Sequence, residues 1–410
     1  MNSKNRPVII LILGLLSAIG PFSIDMYLPG FPAIANDLHT SVSIVSYSLA
    51  SFFVGICFGQ LICGPLLDRF GRKRPLYVGL ALYIVSSIGC AFSKSIEVLI
   101  FLRFLQALGG CVGIVAPRAI IRDIFPLDEN AKIFSLMILI LGVSPIIAPS
   151  VGSYLVAHFG WNSVFIVLTI ISSLIFIGTI FWLPESRKPD PDYSLKPKPI
   201  LNNFLNVIKV PQFYTYALAG GIASAGLFAY LSSSPFVFME LYKTTEQQYG
   251  FIFSINAAGL IACSQLNNQL LKKYTSEQIS LVTLTLQTII GILLLAGALL
   301  NILNLYNTIV LIALFLSCQG FTFPNSAALS MAPFERDAGS ASALMGAMQM
   351  GFGALAAAAI GLFKATNAVP MAAVMAACAL IALVILVFGR KKITNLAKSF
   401  SEESQGFELI

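Results

Sequence analysis

Two ionisable residues stand where hydrocarbon should surround them. Of the eighteen acids in this 410-residue chain, seventeen fall in polar stretches or at the ends of apolar runs. Asp25 is the exception, with Phe22-Ser23-Ile24 before it and Met26-Tyr27-Leu28 after. An aspartate at the centre of a membrane helix costs about 2.5–3.5 kcal/mol, and less toward an end, so its presence calls for a use. A carboxyl kept from water is reluctant to ionise and can load and release a proton near neutral pH. Arg103 is the matching anomaly, the one cation inside an apolar run. The two lie at similar distances from the outer ends of their runs, roughly 8–9 Å deep at about 1.5 Å per residue. Equal depth permits an ion pair that protonation of Asp25 would weaken, a switch reporting proton occupancy. The alternatives are a structural acid satisfied by hydroxyls and backbone, and an arginine that snorkels outward or bonds carbonyls alone.

A second constellation is Gly64-Pro-Leu-Leu-Asp68-Arg69-Phe-Gly71-Arg72-Lys73-Arg74. Charges at that density cannot sit in lipid, so the stretch is a short loop between two spans, and its cations place it on the cytoplasmic side. Gly71 suits a turn with positive φ, Gly64 a close approach of helices, and Asp68 the capping of a helix end. A third stretch, Gly142-Val-Ser-Pro145-Ile-Ile-Ala148-Pro149-Ser-Val-Gly152-Ser153, has two prolines four apart that remove backbone donors. A bend at Pro145 and Pro149, with close packing at Gly152, is expected; plain helix packing is the alternative. Toward the carboxyl end no acid or base sits mid-span. Polar residues such as Asn256 and Gln349 among aromatics such as Phe228, together with Tyr27, are candidate contacts for an amphiphilic, mostly apolar compound. Each aromatic could equally be a packing residue.

The elements that position these groups are membrane helices. Hydrophobic residues make up 57% of the chain and charged ones 10%, against about 25% charged in soluble proteins. Apolar runs of roughly 20 residues recur throughout. They predict an all-α polytopic protein with twelve spans at 8–30, 42–66, 75–93, 97–120, 132–156, 162–183, 213–237, 248–270, 279–300, 307–330, 338–363 and 369–389. Of the 25 lysines and arginines, 21 fall on the side that holds both termini, against Lys94, Lys243 and Lys364 opposite, so both termini are expected in the cytoplasm. The proline-rich charged stretch at 184–212 reads as a linker between two six-helix bundles, 1–183 and 213–389, with a polar tail at 390–410. A shift of 204 residues lays Gly55 on Gly259 and Gly142 on Gly346, the weak internal symmetry of duplicated transporters. The first apolar stretch is too long for a cleaved signal and reads as a retained span. The seven cysteines form no C-x-x-C pair and are expected free, and His39 and His158 are too few for a metal site. No metal, cofactor or nucleic-acid partner is expected, since the net charge of +7 lies in short loops. An enzyme would need a nucleophile, metal set or paired acids at the membrane face, and none is found.

The Gly64–Arg74 loop resembles the signature between spans 2 and 3 of the major facilitator superfamily, which implies that fold. Arg103-Phe-Leu-Gln106-Ala-Leu-Gly109-Gly110 resembles the superfamily's span-4 motif, whose arginine is implicated in proton transfer. By the same resemblance Asp123, at the inner end of span 4, meets Arg72 as an inner gate with Asp68 and Arg69. The span-5 stretch resembles the antiporter motif of drug exporters, although Ala148 and Ser153 stand where the general form has glycine. Asp25-Met26-Tyr27-Leu28-Pro29, Phe31-Pro32, Arg122-Asp123, Ala148-Pro149 and Gly339-Ser340-Ala341-Ser342-Ala343-Leu344 together resemble the Bcr/CflA drug-resistance branch. That resemblance implies a proton-driven exporter of drugs such as chloramphenicol, bicyclomycin or sulfonamides in the bacterial inner membrane, and the protein is expected to be a monomer. An exporter of an endogenous metabolite such as an amino acid is the alternative.

Overall fold

The computed structural model describes residues 6–190, 195–334, 338–363 and 367–407. Arg336 and Lys364, counted above for orientation, lie outside the described residues. Among the described residues, twelve helices are long and apolar enough to cross a membrane. They are Arg6–Asp37, Val42–Phe70, Lys73–Ala91, Ile96–Ile124, Leu139–Phe159, Asn162–Phe181, Pro211–Leu241, Glu246–Leu270, Ser276–Leu299, Leu305–Met331, Ala338–Leu362 and Val369–Ile393, called spans 1 to 12 in that order. Polar residues set their starts: the side chains of Ser41, Ser95 and Asn304 accept from backbone N–H groups three residues on. Thr245 with Gln248 and Thr275 with Gln278 form reciprocal capping boxes.

Three spans are interrupted. Span 1 was expected as one helix to residue 30. Instead its first helix ends at Asp25, and a tight turn at Leu28–Gly30 leads into a short helix, Phe31–Asp37. Pro29 and Pro32 account for the break, since neither has an N–H to continue the ladder. Span 7 gives way after Pro235 to a wider π turn, Phe236–Leu241. Span 4 is offset at Cys111, just after Gly109-Gly110. Spans 1 and 7 thus break at corresponding places in the two repeats, where duplicated transporters build binding sites.

The repeat seen in the sequence is a repeat of contacts. Gly55 of span 2 packs against Phe104 and Ala107 of span 4, and Gly259 of span 8 against Ser317 of span 10. Gly142 of span 5 faces Ile261 of span 8, and Gly346 of span 11 faces Gln60 of span 2. Spans 2 and 11, and spans 5 and 8, are therefore the helix pairs that join the first six spans to the last six. Gly64 behaves differently from expectation: nothing approaches within 4 Å of where its Cβ would stand, so no helix uses the space it leaves.

Candidate functional site

Arg103 is wholly buried, and its surroundings are neutral. One terminal nitrogen donates to Gln106 Oε1 at 2.6 Å and the other to the Ser23 carbonyl at 3.1 Å. The guanidinium stands 4.1 Å from the ring centroid of Phe52 and 4.5 Å from that of Tyr27, within cation–π range. Nε has no partner. A short relay fixes these acceptors. Gln106 Nε2 donates to Ser87 Oγ at 2.7 Å, and Ser87 donates to the Tyr83 carbonyl. Ser23 Oγ donates to the Ile19 carbonyl, so the Tyr83 hydroxyl, 2.6 Å from Ser23 Oγ, is the donor in that contact. By the same count the Tyr27 hydroxyl donates to Ser48 Oγ at 2.7 Å, since Ser48 already donates to Val45.

The Asp25–Arg103 ion pair that equal depth permitted is not formed: among the described residues no salt bridge joins them. Equal depth does not set the direction in which each side chain leaves its helix. Ser23 presents its side chain to Tyr83 of span 3, and Asp25, two residues on, lies about 200° further round the helix. It is buried at the end of the first helix of span 1, and the Leu28–Gly30 turn that follows it packs against spans 7 and 8. On those spans Tyr230 and Tyr249 are tied down. Asn256 Nδ2 donates to the Tyr230 hydroxyl at 3.1 Å, leaving Asn256 Oδ1 unpaired, and the Tyr249 hydroxyl is 2.8 Å from Ser234 Oγ. Asp25 thus ends the helix just before the turn by which span 1 meets the last six spans.

Span 5 closes this region from the side. A Cβ on Gly152 would collide with the Met26 carbonyl, beside Asp25. Ser153 Oγ donates to the Pro149 carbonyl at 2.7 Å, and Ser254 of span 8 donates to Ile146 of span 5 at 2.7 Å. Pro145 and Pro149 sit inside an uninterrupted helix, Leu127–Phe159, so they end no segment there.

The four candidate substrate contacts do not converge. Tyr27 is buried over Arg103 and packed on Phe31 and Phe165, with ring centroids at 5.0 and 5.3 Å, so it belongs to the arginine's enclosure. Phe228 meets Phe53 of span 2 at 4.6 Å across the junction. Asn256 is engaged by Tyr230. Gln349 lies apart, in a small cavity with Tyr216, Gly221 and Ser326.

At the opposite end of the spans the loop cluster is bonded throughout. Arg72 is nearly buried; its Nε donates to Asp123 Oδ2 at 2.7 Å and its Nη1 to Asp68 Oδ1 at 2.9 Å. Arg69 donates to the Asp190 carbonyl at 3.3 Å. The segment after span 6, expected as a linker, completes the cluster. Glu185 accepts from the N–H groups of Arg72 and Lys73 at 2.7 and 3.2 Å, a carboxylate on a helix N-terminus. Ser186 donates to Asp123 at 3.0 Å and Arg187 to Asp68 at 3.0 Å. Gly71, at φ +81°, both makes the turn and leaves the room Glu185 occupies. Among the described residues no group of His, Cys, Asp and Glu could hold a metal ion.

Comparison with known proteins agrees with this architecture. The family profile described as Major Facilitator Superfamily matches residues 13–358. A Bicyclomycin resistance protein homolog of Haemophilus influenzae is 31% identical over 94% of this chain and 97% of its own. The Uncharacterized MFS-type transporter YdgK of Bacillus subtilis is 33% identical over 93% and 94%. The Multidrug resistance protein MdtL of Escherichia coli is 28% identical over 90% and 92%. Among solved structures, a bacterial homolog of the human lysosomal transporter Spinster, in an inward-facing and occupied conformation, superposes with a TM-score of 0.72. It covers 98% of this chain and 99% of its own at 15% identity. These relatives are transporters and not enzymes, and the chain belongs to the major facilitator superfamily.

Proposed function

We propose that the chain is a drug:proton antiporter of the Bcr/CflA branch, exporting amphiphilic drugs from the bacterial cytoplasm across the inner membrane. The observation that carries this reading is the position of Asp25. It is a buried carboxyl with no cation paired to it among the described residues, at a helix break whose following turn packs on spans 7 and 8. A charge sealed there would be costly, so the carboxyl takes a proton with it when the two bundles, 1–183 and 213–389, close over it. Opening toward the cytoplasm returns the proton to water and frees the carrier for drug.

Arg103 serves the cycle indirectly. It braces the Ser23 carbonyl and thereby the turn that presents Asp25. Asp68, Arg72 and Asp123, with Arg69 holding the linker, set the inner end of the first bundle. Phe228 and Asn256 flank the junction and are the best-placed candidates for drug contact. The relatives named for bicyclomycin and multidrug resistance support the substrate class. A membrane potential of 100 mV supplies about 2.3 kcal/mol per charge moved. One proton per cycle then sustains roughly fifty-fold accumulation of a neutral drug.

Reconstituted in vesicles with an entrapped pH dye, the protein is expected to move protons when chloramphenicol or bicyclomycin is added. Asp25→Asn, which keeps the shape of the side chain, is expected to abolish that movement while drug binding survives. Proton movement that persists in Asp25→Asn would reject the coupling site. Its absence in the parent over a compound panel that includes amino acids would reject antiport.

A further inference from the structure

The connection between spans 6 and 7 contains a helix, Pro197–Ile208, that the transport site does not use. Its apolar residues fall into two stripes. At about 100° per residue, Ile200, Phe204 and Val207 share one face, and these are its half-buried and buried positions. Val207 packs with Phe213 and Ala217 of span 7 and Ala341 of span 11. Leu201, Leu205 and Ile208 form a second stripe, about a quarter-turn away, and are 56%, 43% and 38% exposed. Asn202, Asn203 and Asn206 fill the remaining arc, also exposed.

One stripe therefore anchors the helix against two membrane spans, and the other is left uncovered beside them. That second surface lies on a helix held against two apolar membrane spans, and it is bordered by cations. Lys198 and Lys209 are both exposed, stand at opposite ends of the helix, and lie on the side of the stripe away from the anchor. Three aliphatic side chains flanked by lysines make the pattern of a helix lying at the boundary of headgroups and acyl chains. The lysines, with long stems that can follow the apolar surface, give that boundary a sign.

We propose that the 197–208 helix rests its Leu201-Leu205-Ile208 face in the cytoplasmic leaflet and that Lys198 and Lys209 take anionic phospholipid headgroups there. The leaflet named rests on the cytoplasmic placement of the connection; the docking itself does not.

The test uses the full chain in vesicles of phosphatidylcholine alone or with one quarter phosphatidylglycerol. Leu201→Trp reports the environment of the stripe, read as a difference from the parent, whose tryptophans are Trp161 and Trp182. Lipid brominated along its acyl chains is placed in both leaflets, so the signal does not depend on orientation. In phosphatidylglycerol vesicles the introduced tryptophan is expected to be quenched by bromolipid at least threefold more than by aqueous iodide. Lys198→Glu with Lys209→Glu should return it to the behaviour in phosphatidylcholine. An introduced tryptophan open to iodide in both lipids would overturn the proposal. So would shielding that ignores both lipid charge and the double charge reversal, which would point to apolar insertion alone or to a protein partner. Leu205→Trp provides a second reporter on the same stripe and must give the same answer.

Discussion

The Arg103 guanidinium donates to the carbonyl oxygen of Ser23 at 3.1 Å, two residues before Asp25. The contact joins span 4 to span 1 through backbone and not through the carboxylate. What Arg103 fixes is then the position of the break in span 1, whatever the charge on Asp25.

Arg103→Lys separates these roles. A lysine keeps the charge but cannot reproduce a planar fork that serves Gln106 and Ser23 together. Hydrogen bonds to charged groups are worth about 1.5–3 kcal/mol, so a melting temperature several degrees lower is expected in detergent. Proton movement should fall but remain drug-dependent. If Arg103 were the ion-pair partner of Asp25, lysine would instead preserve most of the coupling. Gln106→Leu should give a smaller loss, with Ser23 still bonded.

The inner cluster is organised on Arg72, which bridges Asp68 and Asp123. Removing one member of a buried pair costs about 3–5 kcal/mol because the other is left uncompensated, and here Arg72→Ala leaves two carboxylates. It should destabilise more than Asp123→Asn or Asp68→Asn alone, with a coupling of about 1–3 kcal/mol between Arg72 and Asp123 in a double-mutant cycle. Arg187→Ala should change stability by about 0–1 kcal/mol, since that side chain is 46% exposed. Thermal unfolding of the five variants gives the ranking, and an Arg187→Ala effect equal to that of Arg72→Ala would contradict it.

A third expectation concerns the Tyr230–Asn256 pair. Tyr230→Phe removes the acceptor of Asn256 Nδ2, whose carbonyl oxygen is already unpaired. The amide would then be buried with no partner, at about 1–3 kcal/mol. Replacing both members by apolar groups, Tyr230→Phe with Asn256→Leu, should recover most of that stability. Melting curves of the two single variants and the double test this; a double variant as unstable as the sum of the singles would show that the pair is not the unit that matters.

Span existence was legible in the sequence because lipid demands long apolar helices whatever their neighbours. The Arg72–Asp123 contact was legible only through the resemblance of its loop. Three kinds of relationship were not. Depth can be counted along a helix, but azimuth at Asp25 depends on where span 1 breaks, and Pro29 and Pro32 gave no angle. Glu185 and Arg187 join a loop more than a hundred residues earlier in the chain, and nothing in Pro-Glu-Ser-Arg points to that partner. Tyr27 read as a cavity residue because aromatic type does not say which face is free. The glycine repeat, in contrast, carried real contact information, since Gly142 and Gly346 meet the opposite bundle at equivalent places.

Gly152 illustrates how much a single Cβ decides. In span 5 the close packing expected at Gly152 is present, inside an uninterrupted helix: a methyl there would occupy the position of the Met26 carbonyl. Backbone cannot retreat as a side-chain tip can, so Gly152→Ala must push span 1 away from span 5 beside Asp25. Overpacking of this kind costs about 1–3 kcal/mol. Gly142→Ala in the same helix adds a methyl 3.6 Å from Ile261, an ordinary contact, and Gly64→Ala adds one to open space. Both should fold as the parent does, and the alanines' higher helix propensity favours them slightly. Thermal melting of the three variants, with drug-driven proton movement measured on each, is expected to single out Gly152→Ala on both counts. A Gly152→Ala protein that melts and transports like the parent would mean that spans 1 and 5 do not meet this closely, and the burial of Asp25 behind them would have to be abandoned with that contact.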